Sequence, residues 1–355
     1  MKHLAFAFTL TAVSVLSFFT ACTFLPTAQK SRLEVSEEDF GAYLLVYFKD
    51  ETHSLYFAIS SDGYTFTDVN HGNPIFDGKN LAEQKGVRDP FIGRGPDGFY
   101  MALTDLHIFA QRSRIRDTQW LHPQEEYGWG NNRALVLMKS TDLINWSVTD
   151  YRLDQAFPED YAEIGCSWAP EIIYDPEKDS MMVYFTLRIK NGKERLYYAH
   201  TDKDFTKFIE KPQLIGMKAP EEKTYIDGDI THANGKYYMF LASNGIKLAV
   251  SDHLRDGYVY DDKTIVTGEG SCEAPNVWKR IGTDKYVLMY DNFQPMPNEM
   301  AFQETTDFKT FTPLGRFNKG VMKTTNFRGA KHGAVIPLTK AEAQRLATHW
   351  KVEKY

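Results

Sequence analysis

A three-part unit returns five times along this 355-residue chain, and no other feature narrows the possible folds so far. One part is a strand, a Ser/Thr/Asp turn and a second strand: LYFAISSDGYTFT (55–67), ALVLMKSTDLINWSVT (134–149), LYYAHTDKDFTKFI (196–209), IKLAVSDHLRDGYVY (246–260) and MAFQETTDFKTFTPL (300–314). Apolar runs broken by Ser-Asp or Thr-Asp chemistry predict hairpins. A very apolar strand precedes each hairpin, at 43–48, 99–104, 181–187, 237–243 and 286–291. The third part is a short strand with a polar start: RDPFI (88–92), WAPEI (168–172), IDGDI (226–230), EAPNV (273–277) and KHGAV (331–335). Four strands per unit, repeated radially, predict an all-β fold, a five-bladed β-propeller. A β-sandwich with similar turns is the competing architecture, and it does not account for five units in matching order. The last polar strand, 331–335, follows the final complete unit, so it is expected to close the ring against the N-terminal strands 43–68. Thr339 and Glu342 have capping-box spacing and open one short C-terminal helix over 339–350, expected to pack outside the ring.

In a propeller the first strand of each blade lines the central channel, so the polar starts converge at one end of the axis. Four starts carry carboxylates: Asp89, Glu171, Asp227 with Asp229, and Glu273. The fifth carries His332. Crowded carboxylates raise one another's pKa, which a fold has little reason to tolerate without a function. Two carboxyl groups flanking a glycosidic bond can supply an acid for the leaving oxygen and a base for water. A gap of roughly 6.5–9.5 Å between them leaves room for the water and gives inversion.

These strand starts resemble glycoside hydrolase family 43, over residues 40–338. The resemblance implies a five-bladed propeller that cleaves arabinofuranosides, xylosides or related galactosides with inversion. It implies that Asp89 in VRDPFI is the general base and Glu273 in CEAPNV the general acid. Asp227 in YIDGDI would orient that acid and tune its pKa. His332 in KHGAV corresponds to a family histidine near the axis. Gly228 stands where the family has Pro, and Ala274 where it has Gly. Asp229 faces the same side of the strand as Asp227, so the tuning role is open between them. Glu269 in GEGSCEAP competes with Glu273, but only Glu273 has Pro two residues on and an apolar strand behind it. Within the family the chain most resembles lipoprotein members assigned to α-L-arabinofuranosidase or β-D-galactofuranosidase activity, and an exo-acting enzyme on plant or microbial polysaccharide is expected.

Other residues carry two readings. Trp168 either stacks on a sugar or fills the channel wall. Arg88 either touches substrate or pairs with a neighbouring carboxylate. Glu171 adds a carboxylate to the ring, and His332 either binds a sugar hydroxyl or is structural. The connection 106–132 is long for a propeller and is expected to shape the pocket rim through Trp129. Two other functions remain open: a non-catalytic carbohydrate-binding propeller, and a sialidase-like glycosidase suggested by the SSDGYTFT turn. A cluster of three arginines on the axis would favour the second.

Residues 1–21 read as a signal peptide: a basic start, a run of apolar or small residues over 4–20, then Ala21. Cys22 directly after it predicts a lipidated first residue, with 22–39 a linker and 40–355 the catalytic propeller. The expected location is the outer membrane, through a lipid anchor. No acidic cluster follows Cys22, which by resemblance to surface-exported lipoproteins points to the periplasmic face. The mature part holds Cys166 and Cys272, read either as a disulfide or as two separate buried thiols. A net charge of -6 gives no basic stripe for nucleic acid. No zinc-type spacing, phosphate loop or nucleophile elbow stands out. No cofactor is required on this reading, and only a structural ion on the propeller axis is left open.

Overall fold

Among the described residues there are five sheets, antiparallel within each group of four strands, and each is one of the repeated units. The computed structural model describes Met1 and residues 35–266, 271–294 and 296–355. The expected leader apart from Met1, Cys22, and Glu269, the alternative to Glu273, lie outside the described residues.

Blade 1 runs from its inner strand Lys331–Thr339 through Phe40–Phe48 and Leu55–Ser60 to Thr65–Asp68. Blade 2 is Val87–Gly95, Gly98–Asp105, Ala134–Ser140 and Ser147–Arg152. Blade 3 is Ile164–Asp175, Ser180–Ile189, Arg195–His200 and Gln213–Leu214. Blade 4 is Ile226–Ala233, Lys236–Ala242, Ile246–Ser251 and Tyr258–Asp261. Blade 5 is Cys272–Lys279, Tyr286–Asn292, Glu299–Thr305 and Thr312–Arg316. The inner strands touch in a cycle, each meeting the next and the strand of blade 1 meeting that of blade 2. The fold is a five-bladed β-propeller closed as the repeat predicts, with Leu44 facing Ile336 and Val46 facing Ala334 across the closing ladder.

The turn chemistry explains the repeated hairpins. Asp62 Oδ1 accepts from the amides of Tyr64 and Thr65, both at 2.7 Å, and Ser60 Oγ accepts from Gly63. Ser140 with Asp142 and Thr305 with Asp307 repeat the arrangement. These side chains satisfy amides that the turn removes from the ladder.

The second strand of each blade is apolar on both faces because a blade lies on either side of it. In Phe40–Phe48, Leu44 and Val46 face blade 2 while Tyr43, Leu45 and Tyr47 face blade 5. Among the described residues, five apolar clusters form the core, one at each junction between neighbouring blades.

Two details differ from the sequence expectation. In blade 3 the hairpin 196–209 does not supply the outer strand. Asp202 instead ties a turn through Thr206 and Lys207, leaving a single bridge from Thr201 to Phe208, and the outer strand comes at Gln213–Leu214. Blades 1 and 4 each gain a short parallel edge strand, Lys323–Thr324 and Met217–Lys218.

The helix Lys340–Trp350 starts at the expected capping box, with Glu342 Oε2 accepting from Thr339 N at 2.8 Å. It buries Ala343, Leu346 and Ala347 against the junction of blades 1 and 2. Arg94 of blade 2 grips Glu342 with two bonds of 2.8 and 2.7 Å. Cys166 and Cys272 are buried thiols on different blades, with no disulfide between them.

Candidate active site

Every inner strand breaks register at the same place. The interruptions fall between Arg88 and Phe91, Trp168 and Glu171, Ile226 and Asp229, Glu273 and Asn276, and opposite Val46 to Phe48 in blade 1. One residue in each has a positive φ: Asp89 (49°), Ala169 (44°), Asp227 (52°), Ala274 (59°) and His332 (27°). Non-glycine residues rarely take such angles, and they persist only where the surroundings enforce them. Pro or Gly follows each of them in the sequence. The bulges re-aim the side chains at the rim of the channel, as bulges beside functional sites commonly do.

Side chains from the preceding blade hold four of the strained amides. Ala169 N donates to Thr104 Oγ1 at 2.9 Å, Asp227 N to Thr186 Oγ1 at 3.1 Å and His332 N to Asp291 Oδ1 at 3.1 Å. Thr104, Thr186 and Asp291 are the cross-strand partners of Arg88, Trp168 and Glu273. Blade 4 has Ala242 at that place, opposite Ile226, and a methyl group cannot accept. Asp227 takes over, its Oδ2 accepting from Ala274 N at 3.2 Å. The carboxylate on blade 4 thereby fixes the backbone next to Glu273.

A cavity of about 90 Å³ opens at this rim. Asp89, Asp227 and Glu273 line it, from three different blades. Arg88, His332, Trp168 and Trp129 complete the set of expected residues that reach it. Glu171 does not line it. It lies two residues further down its strand, 1 % exposed, in contact with Tyr184 and Asp229. Asp229 is equally deep, with Oδ2 accepting from Val277 N at 2.5 Å. Larger grooves of about 650 and 620 Å³ hold, among the described residues, two carboxylates each, Glu221 with Glu222 and Asp261 with Asp307, against the three gathered here.

Burial opposes charge on Asp89, but His332 overcomes it. His332 Nδ1 lies 3.2 Å from Asp89 Oδ1, Thr104 Oγ1 donates to Oδ2 at 2.8 Å and Arg88 Nε is 3.9 Å away. The net effect holds the Asp89 carboxyl well below the usual carboxylate range. Burial also opposes charge on His332, yet the bond to Asp89 pushes it up to about 9. Glu273 has no such partner. Burial first, then the charges of Asp227 and Asp291, push it up to about 8. Burial raises Asp227 to about 6, against the pull of His332. One carboxylate is thus ionised at neutral pH and another keeps its proton, the division of labour needed for acid–base chemistry.

Trp168 Nε1 donates to Gly130 O at 2.8 Å, and the Arg188 guanidinium covers its ring at 4.9 Å. Trp129, 49 % exposed, meets Trp168 edge-on at 5.8 Å. Arg188 of blade 3 donates to the carbonyls of Tyr127 and Trp129, both at 2.9 Å, so the loop 106–132 both packs on the next blade and forms the rim. Arg88 reaches Asp50 Oδ1 at 2.8 Å as well as the cavity. Among the described residues, no group of three or more His, Cys, Asp or Glu is arranged to hold a metal ion.

Sequence reasoning did not find Thr104, Thr186, Asp291, Lys331 or Asp50. The first three had a signal: each is a polar residue in or at the end of an otherwise apolar second strand.

A family model described as "probable glycosyl hydrolase domain", of the family 43-related type, matches residues 38–344. The α-L-arabinofuranosidase of Bifidobacterium longum subsp. longum is 27 % identical over 220 residues, covering 56 % of this chain and 18 % of that protein. The chain therefore spans under a fifth of that relative's length. An endo-1,4-beta-xylanase from Bacteroides thetaiotaomicron has a similar structure, with a TM-score of 0.54 and 14 % identity over 80 % of this chain and 94 % of that one. A family 43 protein from Bacillus licheniformis aligns with a TM-score of 0.52 and 14 % identity over 82 % of this chain and 55 % of that one. At these identities the two structures speak to the fold alone.

Proposed function

The chain belongs to the family 43-related glycosyl hydrolases, and on that premise we propose that it is an exo-acting, inverting glycosidase for terminal furanosyl or pentosyl residues. One observation carries the reading: Asp89, Asp227 and Glu273, from three blades, meet in one small cavity with opposite protonation preferences. Glu273, neutral at pH 7, donates its proton to the departing glycosidic oxygen as the bond to the anomeric carbon breaks. Asp89, ionised, takes a proton from a water that attacks the opposite face of that carbon. The water's remaining oxygen and hydrogen stay on the sugar with inverted configuration. His332 keeps Asp89 ionised. Asp227 orients the acid through the Ala274 amide and keeps its proton on by charge repulsion. Because Asp227 lines the cavity and Asp229 does not, Asp227 is favoured for the tuning role.

A cavity of about 90 Å³ suits one terminal ring rather than a chain running through. Trp168 and Trp129 offer apolar faces for it, and Arg88 and His332 offer donors to its hydroxyls. Among the described residues a single arginine lines the cavity, which disfavours the sialidase-like alternative. The arabinofuranosidase relative favours an α-L-arabinofuranoside, with β-D-galactofuranoside and β-D-xyloside as the alternatives. The substrate would then be an oligosaccharide or polysaccharide carrying such ends.

The test is hydrolysis of the three aryl glycosides by the domain without Cys22, beside Glu273→Gln and Asp89→Asn. Both folded variants are expected to lose a factor of about 10²–10⁴. Binding without cleavage by the wild type would instead favour a carbohydrate-binding propeller. We further propose that Cys22 carries the lipid that anchors the protein to the outer membrane. Fatty-acid labelling of the exported protein, absent in Cys22→Ser, checks this; label retained in the variant sinks it.

A further inference from the structure

Asp291 is 1 % exposed and belongs to neither the base nor the acid. It sits on the second strand of blade 5, directly opposite Glu273. Two carboxylates facing each other across a β-ladder repel when both are charged, so one of them must hold a proton or find a cation. Asp291 has such help on its far side. Its Oδ1 accepts from the His332 amide at 3.1 Å. Its Oδ2 makes no hydrogen bond and lies 3.6 Å from Lys331 Nζ. A buried carboxylate oxygen without a hydrogen-bond donor is costly, and the Lys331 ammonium is the cation that offsets the cost here.

Lys331 is itself buried, 7 % exposed, and occupies in blade 1 the place that Glu273 occupies in blade 5. Its ammonium group lies 3.4 Å from Asp50 Oδ2, and Asp50 also binds Arg88 at 2.8 Å. Five charges therefore run in a line past the cavity: Asp89, Arg88, Asp50, Lys331 and Asp291. The line begins at the base and ends beside the acid.

We propose that Asp291 and Lys331 are an opposed pair of positioning charges for Glu273: Asp291 keeps the proton on the acid, and Lys331, tethered by Asp50, limits that hold so the proton can leave. The proposal rests on Glu273 being the acid of the reading above. The charged groups acting on Glu273 are Asp291 from its own blade, Asp227 from blade 4, Arg88 from blade 2, and Lys331 and His332 from blade 1, and Asp89 of blade 2 shares its cavity. Among these, Asp227 and Asp291 push the Glu273 carboxyl up, and Lys331 and His332 pull it down. Burial raises Asp291 as well, against the combined pull of Lys331, His332 and the His332 amide.

The opposite signs give the test. In protein labelled with ¹³C at glutamate carboxyls, the Glu273 signal is assigned by its loss in Glu273→Gln and titrated. Asp291→Asn, which keeps the oxygen that accepts from His332, is expected to lower the midpoint by about one pH unit. Lys331→Gln is expected to raise it by a similar amount, and the double variant to return near the wild type. The alkaline limb of kcat/KM should move in the same directions. Shifts of one sign in both variants, or none in either, overturn the proposal. If Asp291→Asn does not fold, the sign in Lys331→Gln alone decides. The carboxyl titration needs no turnover, so a wild type inactive on all three glycosides would sink the hydrolase reading while leaving this result legible.

Discussion

Asp89 is buried and Glu273 partly buried, and their environments drive the two carboxyls in opposite directions. Asp89 has a histidine, a hydroxyl and a guanidinium beside it, whereas Glu273 has two further carboxylates. With Asp89 ionised throughout, the pH–rate curve is expected to fall on the alkaline side near pH 8, as Glu273 loses its proton, and on the acid side near pH 6, with Asp227. An alkaline limb near pH 5 would exclude Glu273 as the acid. Stability carries the same signature. The folded state holds the Glu273 proton more tightly than the unfolded chain, whose value is near 4.5. This contribution is therefore complete below pH 4.5 and is lost as pH rises through about 8. Glu273→Gln should gain melting temperature relative to wild type at pH 8.5, and little at pH 4; an equal change at both would refute the assignment. Thr104 has a double duty, donating to Asp89 and accepting from Ala169 N. Thr104→Val strands both groups and should destabilise by about 1–3 kcal/mol, read by urea unfolding. A loss below 0.5 kcal/mol, on the order of a surface substitution, would mean those bonds are not made.

At the level of the strand, the repeat was legible and the bulge was not. Order, turn chemistry and apolar second strands all show in the sequence because each has a period. The positive φ falls on Asp, Ala, Asp, Ala and His, which share no chemistry. The Pro that follows three of them ordinarily signals extended backbone, which masks the bulge. Glu171 looked equivalent to the other carboxylates but sits two places beyond the bulge, so it points deeper. Glu273 sits one place before it, which still reaches the cavity. Blade 3 misled for a local reason, since Asp202 makes a turn where the other blades make a strand. Ala274, at φ 59°, occupies a position a glycine would hold without strain. Ala274→Gly is expected to leave stability unchanged or raise it by up to about 1 kcal/mol, and Ala274→Val to lower it by more. A destabilising glycine would contradict the strained geometry.

The molecule as a whole is a cycle of five junctions, each with its own apolar cluster and none complete within one blade. Unfolding is expected to be a single transition seen identically by far-ultraviolet circular dichroism and tryptophan fluorescence. Removing residues 331–355 takes the inner strand of blade 1, His332 and the capped helix together. That truncation should abolish the folded state rather than leave four stable blades, and a cooperative four-bladed remnant would show that closure is dispensable.

The closing ladder also sets a clock. Phe40–Phe48 is among the first described strands to leave the ribosome, and its partner Lys331–Thr339 is the last. For most of synthesis the first strand has one ladder edge without its partner, and Asp89 has no histidine. On the proposed reading hydrolysis can begin only when the final strand arrives, so a partly made chain holds all three carboxyls without the histidine that keeps Asp89 ionised.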